Sequence, residues 1–226
     1  MDPTRSMNKN FLLKIMLISS AMSIVLLSFR MYLTGSPMYI FLSWNLFLAW
    51  IPFIATLCIN EAENFQHNRW LKIFFFILWL VFFPNSPYII TDLFHLHARP
   101  GMPLWFDLFL IISFAWNGLM LGFASLLRIQ KLMNSLLKNW QNWALVSLLM
   151  FLCGYGVYLG RFERWNSWDL LTHGNILSES ILKDILDPFS NLRMLGVTVV
   201  YGSFLLLGYI MLLAMIDGFK NEKHEN

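Results

Sequence analysis

The sequence predicts an all-α polytopic integral membrane protein, a helical bundle of about six transmembrane helices whose third helix is broken. Three observations carry this. Of the 226 residues, 58% are hydrophobic and only 13% charged, too apolar a chain for a surface that water must wet. Ten Trp, seven Tyr and 21 Phe add the aromatic side chains that favour the membrane boundary or, for Phe, tolerate hydrocarbon. The apolar residues also gather into six runs, near 11–29, 38–58, 71–90, 103–126, 143–160 and 194–216, each long enough as a helix to cross a hydrocarbon core about 30 Å thick.

Residues 1–10 form a polar tail with Arg5 and Lys9. The run that follows, from Phe11 to Leu27, has no small-x-small cleavage site, so it reads as a span that stays in the membrane and not as a signal peptide. Lys14, one turn inside, can snorkel to the boundary. The second span carries Asn45 in mid-span, expected to make an interhelical hydrogen bond, and Pro52, expected to kink the helix. The third is interrupted by Pro84-Asn85-Ser86-Pro87, where Ser86 reads as an N-cap and Pro87 as the first residue of a restarted helix. The fourth opens Pro103-Leu104-Trp105-Phe106-Asp107 and carries Asn117, another candidate for interhelical bonding. The fifth ends at Gly160. Between it and the last span, Ser178 is expected to cap a short helix whose Ile181, Leu182, Ile185 and Leu186 form an apolar stripe, ended by Asp187-Pro188. A single transmembrane domain, 11–216, thus lies between tails 1–10 and 217–226. No internal repeat is evident, which weighs against an inverted-repeat transporter.

The net charge of +3, from 16 basic and 13 acidic residues, is spread over many loops and gives no nucleic-acid footprint. With the N-terminus cytoplasmic, Arg5, Lys9, Lys14, Arg69, Lys72, Arg128, Lys131, Lys138, Lys220 and Lys223 fall inside. Arg30, Arg99, Arg161, Arg164, Lys183 and Arg193 fall outside. Ten against six favours both termini in the cytoplasm. Cys58 and Cys153 lie in apolar runs and offer neither a disulfide framework nor a metal knuckle. His-Glu-x-x-His, Gly-x-Ser-x-Gly, Walker and dinucleotide motifs are absent, so a nucleotide-driven enzyme or pump is not expected.

The costliest polar residues are gathered. On an α-helix restarting at Pro87, Tyr88, Asp92, His95 and Arg99 share one stripe, with Ile89, Ile90 and Leu93 opposite. A carboxylate facing lipid costs a few kcal/mol, so the stripe should face the bundle interior or a water-filled cavity. Asp107 is placed at a similar depth. Arg161-Phe162-Glu163-Arg164-Trp165-Asn166-Ser167-Trp168-Asp169 emerges on the same side, and Arg161 and Arg164, at i and i+3, suit a carboxylate or phosphate. The catalytic candidates are therefore Asp92, His95 and Asp107. The substrate-binding candidates are Tyr88, Asn85, Arg161, Arg164, Asn166 and Asp169. Asp92 and His95 could also contribute two ligands to a divalent metal. A structural alternative stands beside these roles, with Asp92 paired to Arg161 or Arg164 and His95 bonded to a backbone carbonyl.

The segments from Trp44 to Pro52, from Pro84 to Leu96 and from Gly160 to Asp169 resemble those of the bacterial membrane-protein family catalogued as domain of unknown function 1361. The resemblance runs from the second span to the last helix, and its most specific parts are the proline-bracketed turn and the Arg/Trp/Asn/Asp run. It implies a small polytopic bacterial membrane protein and no activity, and the expected location is the inner membrane. Membrane lipids are the expected partners, without nucleic acid. Three functions remain open: an enzyme acting at the outer face on a lipid or lipid-linked anion, a small permease or ion-binding carrier, and a non-catalytic partner subunit.

Overall fold

A computed structural model describes residues 9–61, 69–165 and 174–225. Their regular structure is helical: α1 (Lys9–Thr34), α2 (Phe41–Glu61), α3 (Arg69–Phe82), the single turn α4 (Asn85–Tyr88), a 3₁₀ segment (Ile89–His95), α5 (Leu104–Met133), α6 (Asn139–Arg161), α7 (Gly174–Leu186), a 3₁₀ turn (Pro188–Ser190) and α8 (Leu192–Glu225). Six stretches are long and apolar enough to cross a membrane: Phe11–Thr34, Phe41–Ile59, Arg69–His95, Leu104–Met133, Asn139–Arg161 and Leu192–Gly218. The chain divides into two compact units. One runs to Leu132 and resumes at Met211, and the other is Met133–Ile210.

In the first unit, α1 buries a narrow seam, Met16, Ser20, Ser23, Leu27 and Arg30, spaced alternately four and three residues apart as in coiled-coil-like packing. Its other faces expose Ile18, Met22, Val25 and Phe29, apolar side chains suited to lipid. Small polar groups tie the seam to its neighbours. Trp50 Nε1 in α2 donates to Ser20 Oγ at 3.2 Å, and Asn117 Nδ2 in α5 donates to Ser23 Oγ at 2.9 Å. Where lipid offers no hydrophobic drive between helices, such bonds and close packing hold spans together. The helix also continues past the predicted end at 29 to Thr34. Arg30 shortens the hydropathy run, but its buried partner lets the backbone remain helical through it. Gly35, at φ 62°, then closes α1 by donating its N–H to Met31 O at 2.9 Å, the single-bond left-handed cap for which glycine carries no Cβ penalty.

The third span breaks where expected but by a different route. Ser86 is not an N-cap. It lies within α4, its N–H bonded to Phe83 O at 3.1 Å and its Oγ donating to Ala49 O of α2 at 3.4 Å. After α4 the chain tightens into a 3₁₀ segment, where i and i+3 side chains eclipse. Thr91 supports the tighter turn, Oγ1 donating to Tyr88 O at 2.7 Å. The segment ends at His95, with Leu96 already extended. The predicted stripe of Tyr88, Asp92, His95 and Arg99 is accordingly replaced by Ile89, Asp92 and His95 along one edge. Arg99 falls beyond the helix, in a bridge with Met102.

Glycines on α5 admit this broken segment. A Cβ on Gly118 would lie 2.7 Å from Ser86 O and from Ile89 Cδ1, and one on Gly122 would lie 2.9 Å from Ser86 Cβ. Three residues further along α5, Ser125 Oγ accepts the buried indole N–H of Trp79 at 3.1 Å. The pair is a small-xxx-small contact that lets two backbones approach closely.

In the second unit, Gly154 on α6 meets the backbone of Thr198 on α8, and Gly202 on α8 meets Phe151 on α6, a close helix pairing built the same way. α7 begins at Gly174, a turn before the predicted cap Ser178, whose hydroxyl instead donates to Asn175 O at 2.8 Å. Its inward face is Leu177, Ser180, Ile181 and Asp184, while Leu182 and Leu186 are exposed. The predicted apolar stripe is therefore split, because Asp184 and Ser180 take polar partners inside. The side chain of Ile185 lies outside the description.

Candidate functional site

At the end of the first unit where α1 stops, four segments converge on one phenol. Tyr39 is fully buried in the α1–α2 connection. The Arg30 guanidinium lies over its ring at 4.4 Å, and that of Arg99 at 5.8 Å, both within cation–π range. Its hydroxyl donates to His95 O at 3.4 Å. Burial pushes the Tyr39 hydroxyl above its ordinary range, Asp107 adds to that, and Arg99 and Arg30 oppose it. The phenol therefore keeps its proton and remains a donor at neutral pH.

The two arginines differ in how they are neutralised. Arg30 Nε donates to Asp107 Oδ1 at 2.7 Å and Nη2 to Oδ2 at 3.1 Å, a two-point pair whose side chains are 3% and 1% exposed. Such a fork fixes geometry as well as charge. Asp107 sits in the first turn of α5, where the helix N-terminus also favours a carboxylate. Arg99, half-buried, makes no carboxylate pair among the described residues, and its Nε is buried without a hydrogen-bond partner. Counting Asp92 as well, this face holds two guanidinium and two carboxylate groups, and Arg99 is the guanidinium that no carboxylate pairs directly among the described residues.

Asp92 and His95 sit beside it. Asp92 is 2% exposed and accepts a hydrogen bond from Asn45 Nδ2 of α2 at 2.8 Å. Two of the polar residues singled out in the apolar runs therefore meet each other. His95 is exposed, its ring edge-on to Phe41 at 5.0 Å between centroids. Asp92 and His95 leave the same edge of the 3₁₀ segment. No group of three or more His, Cys, Asp or Glu residues suited to a metal ion occurs among the described residues, so these two side chains do not form a metal shell by themselves.

The remaining candidates are placed as follows. Tyr88 and Asn85 lie half-buried in α4, with Asn85 Nδ2 donating to Phe82 O at 3.2 Å across the break. Arg161 and Arg164 belong to the second unit and do not share a helix face. α6 ends at Arg161, and Arg164 is left-handed at φ 63°, a conformation a non-glycine residue seldom adopts. The turn there is held by Glu163, which accepts from Tyr158 OH at 2.8 Å, Trp165 Nε1 at 3.0 Å and Ser180 Oγ at 3.0 Å. Asn166 and Asp169 lie outside the described residues. Asn117, read in the sequence as an interhelical bond, is one.

Sequence reasoning missed Arg30 as the partner of Asp107, and missed Tyr39 altogether. The signal for Arg30 was present. It continues the four-three spacing of Ser20, Ser23 and Leu27, and a charge on the buried seam of a span needs a partner.

The family model described as "Protein of unknown function (DUF1361)" matches residues 44–208. The chain belongs to this family. No curated protein and no solved structure matches it. Within the DUF1361 segment lie Asn45, Asp92, His95, Arg99 and Asp107, while Arg30 and Tyr39 precede it.

Proposed function

We propose that this DUF1361 protein binds the anionic group of a membrane lipid or lipid-linked molecule at the Tyr39 end of its first unit, with Asp92 and His95 positioned to move a proton on the bound group. The observation that carries the reading is the unequal neutralisation of Arg30 and Arg99 over one tyrosine ring. Arg30 is consumed by Asp107 and holds Tyr39. Arg99 is the guanidinium left without a carboxylate partner among the described residues, at a membrane boundary. Asp107 then serves to hold Arg30, and His95, which is exposed, is the group able to exchange protons.

Binding is testable by native mass spectrometry of protein in neutral-lipid nanodiscs doped with phosphatidylglycerol. Arg99→Gln is expected to lower retained phosphatidylglycerol about tenfold, since a charge-assisted hydrogen bond contributes about 1.5–3 kcal/mol. A second reading makes the cluster purely structural, and the closed Arg30–Asp107 and Asn45–Asp92 pairs favour it. That reading requires wild type and Arg99→Gln to retain equal amounts of the anionic lipid over phosphatidylcholine.

The proposed address is the bacterial inner membrane, and the ten-to-six distribution of Lys and Arg supports both termini in the cytoplasm. In a background lacking Cys58 and Cys153, an impermeant thiol reagent is expected to label Ala98→Cys and not Ser135→Cys from outside intact cells. Both positions are exposed. The reverse pattern would turn the site to the cytoplasm.

A further inference from the structure

Directly below the Arg30–Asp107 pair, α1 and α5 enclose an apolar cavity of about 260 Å³ lined by Met22, Leu26, Trp105, Phe106, Phe109, Leu110 and Ser113. On α1, Leu26 lies one turn before Arg30 and Met22 one turn before Leu26, a row that drifts from the buried seam toward the lipid-facing side. On α5, Phe106 and Leu110 flank Asp107, and Phe29 packs on Phe106 at 5.9 Å between ring centroids. The cavity therefore runs from the charged pair toward the middle of two membrane spans. Met22, Trp105 and Phe109 are each 62% exposed, so its mouth faces the lipid side.

We infer that this cavity holds an acyl chain of the anionic lipid whose head is bound at Arg99, which makes the ligand an intact lipid and not a soluble anion. The inference rests on the proposed function above. Its own support is positional. The groove lies inside spans, where hydrocarbon chains are the surrounding medium, and nearly every lining side chain is apolar. The charged end of a lipid entering there lies toward the end of the unit that carries Arg99, and Trp105 marks the boundary level at which heads and chains meet. A soluble anion would use the charge and leave the groove without a role.

The test uses two phosphatidyl lipids with the same diazirine-bearing acyl chain, one with a glycerol head and one with a choline head. Each is mixed into neutral nanodiscs holding the full-length protein, with cross-links mapped by mass spectrometry. The glycerol lipid is expected to label the cavity-lining residues at least fivefold more than the choline lipid, and Arg99→Gln is expected to remove that excess. Met22→Trp, made at an exposed position so that folding is spared, should fill the mouth and cut the labelling. Equal cavity labelling by both lipids, or labelling of the glycerol lipid that Met22→Trp does not alter, overturns the chain slot even if Arg99-dependent retention of the anionic lipid stands. Binding of glycerol phosphate with no lipid preference also overturns it, as the mark of a soluble-anion site. If wild type retains neither anionic lipid nor glycerol phosphate, the proposed function fails together with this inference.

Discussion

Asp107→Ala is expected to be among the most damaging single substitutions in the first unit, because it strands the Arg30 guanidinium in a site where the pair is almost fully enclosed. Removing one partner of a buried ion pair typically costs about 3–5 kcal/mol, most of it the penalty of leaving the other charge uncompensated. Arg30 has little alternative. Its Nη1 is already buried without a hydrogen-bond partner, and the ring of Tyr39 satisfies it only through the π-face. Arg30→Ala should be comparably harmful, since it leaves Asp107 as an unpaired carboxylate in the first turn of a span. Removing both charges should not be. With Arg30→Met and Asp107→Leu together, apolar side chains fill the volume and no ion is left to desolvate, and such exchanges are often neutral or stabilising. In detergent-solubilised protein the single variants are thus expected to lose on the order of 10 °C in Tm, and the double variant to regain most of it. A double variant as unstable as Asp107→Ala would show that the contact matters for its shape and not for its charge balance. The cycle also bears on function, since a stable double variant with weakened anionic-lipid binding would place Arg30 behind Arg99 in holding the site.

The sequence carried the number and place of the spans because hydropathy is a local property, summed over about twenty residues and indifferent to partners. What it carried poorly was every feature set by a partner. Arg30 ended the first apolar run, yet Asp107, 77 positions away, lets α1 continue to Thr34. Asn45 and Asp92 were each legible as groups that could not face lipid, but nothing local says that they meet. The face of the segment after Pro87 was misread for a different reason. A 3.6-residue period was applied to a chain that turns every three residues, which moved Arg99 off the stripe and brought Ile89 onto it. The same kind of error linked Arg161 to Arg164, since i and i+3 share a face only while the helix lasts, and α6 ends between them. One tertiary signal was present and unused. Gly118-Leu119-Met120-Leu121-Gly122 places two glycines one turn apart in a span, a pattern that marks a close crossing of another backbone.

That pattern supports the second large effect. Gly118→Ala adds one methyl group, and it would lie 2.7 Å from both Ile89 Cδ1 and Ser86 O. The isoleucine can rotate away, but a carbonyl oxygen moves only with its backbone, so α4 must shift off α5. Overpacking of this kind costs about 1–3 kcal/mol, and the upper end is expected here because Ser86 is also tied to Ala49 O of α2. Relaxation has a further consequence, since Asp92 follows Ile89 by one 3₁₀ turn and displacement of that turn pulls it from Asn45. Gly118→Ala should therefore lower both Tm and anionic-lipid retention. Gly196→Ala in α8 is the matched control. A Cβ there meets nothing within 4 Å, and removing the glycine's backbone freedom from a helix should be neutral or stabilise by about 0.5–1 kcal/mol. Adding Ile89→Ala to Gly118→Ala clears the flexible obstacle only, so the double variant should remain destabilised. Full recovery would mean that the isoleucine set the limit, and that the α4 backbone does not rest on Gly118.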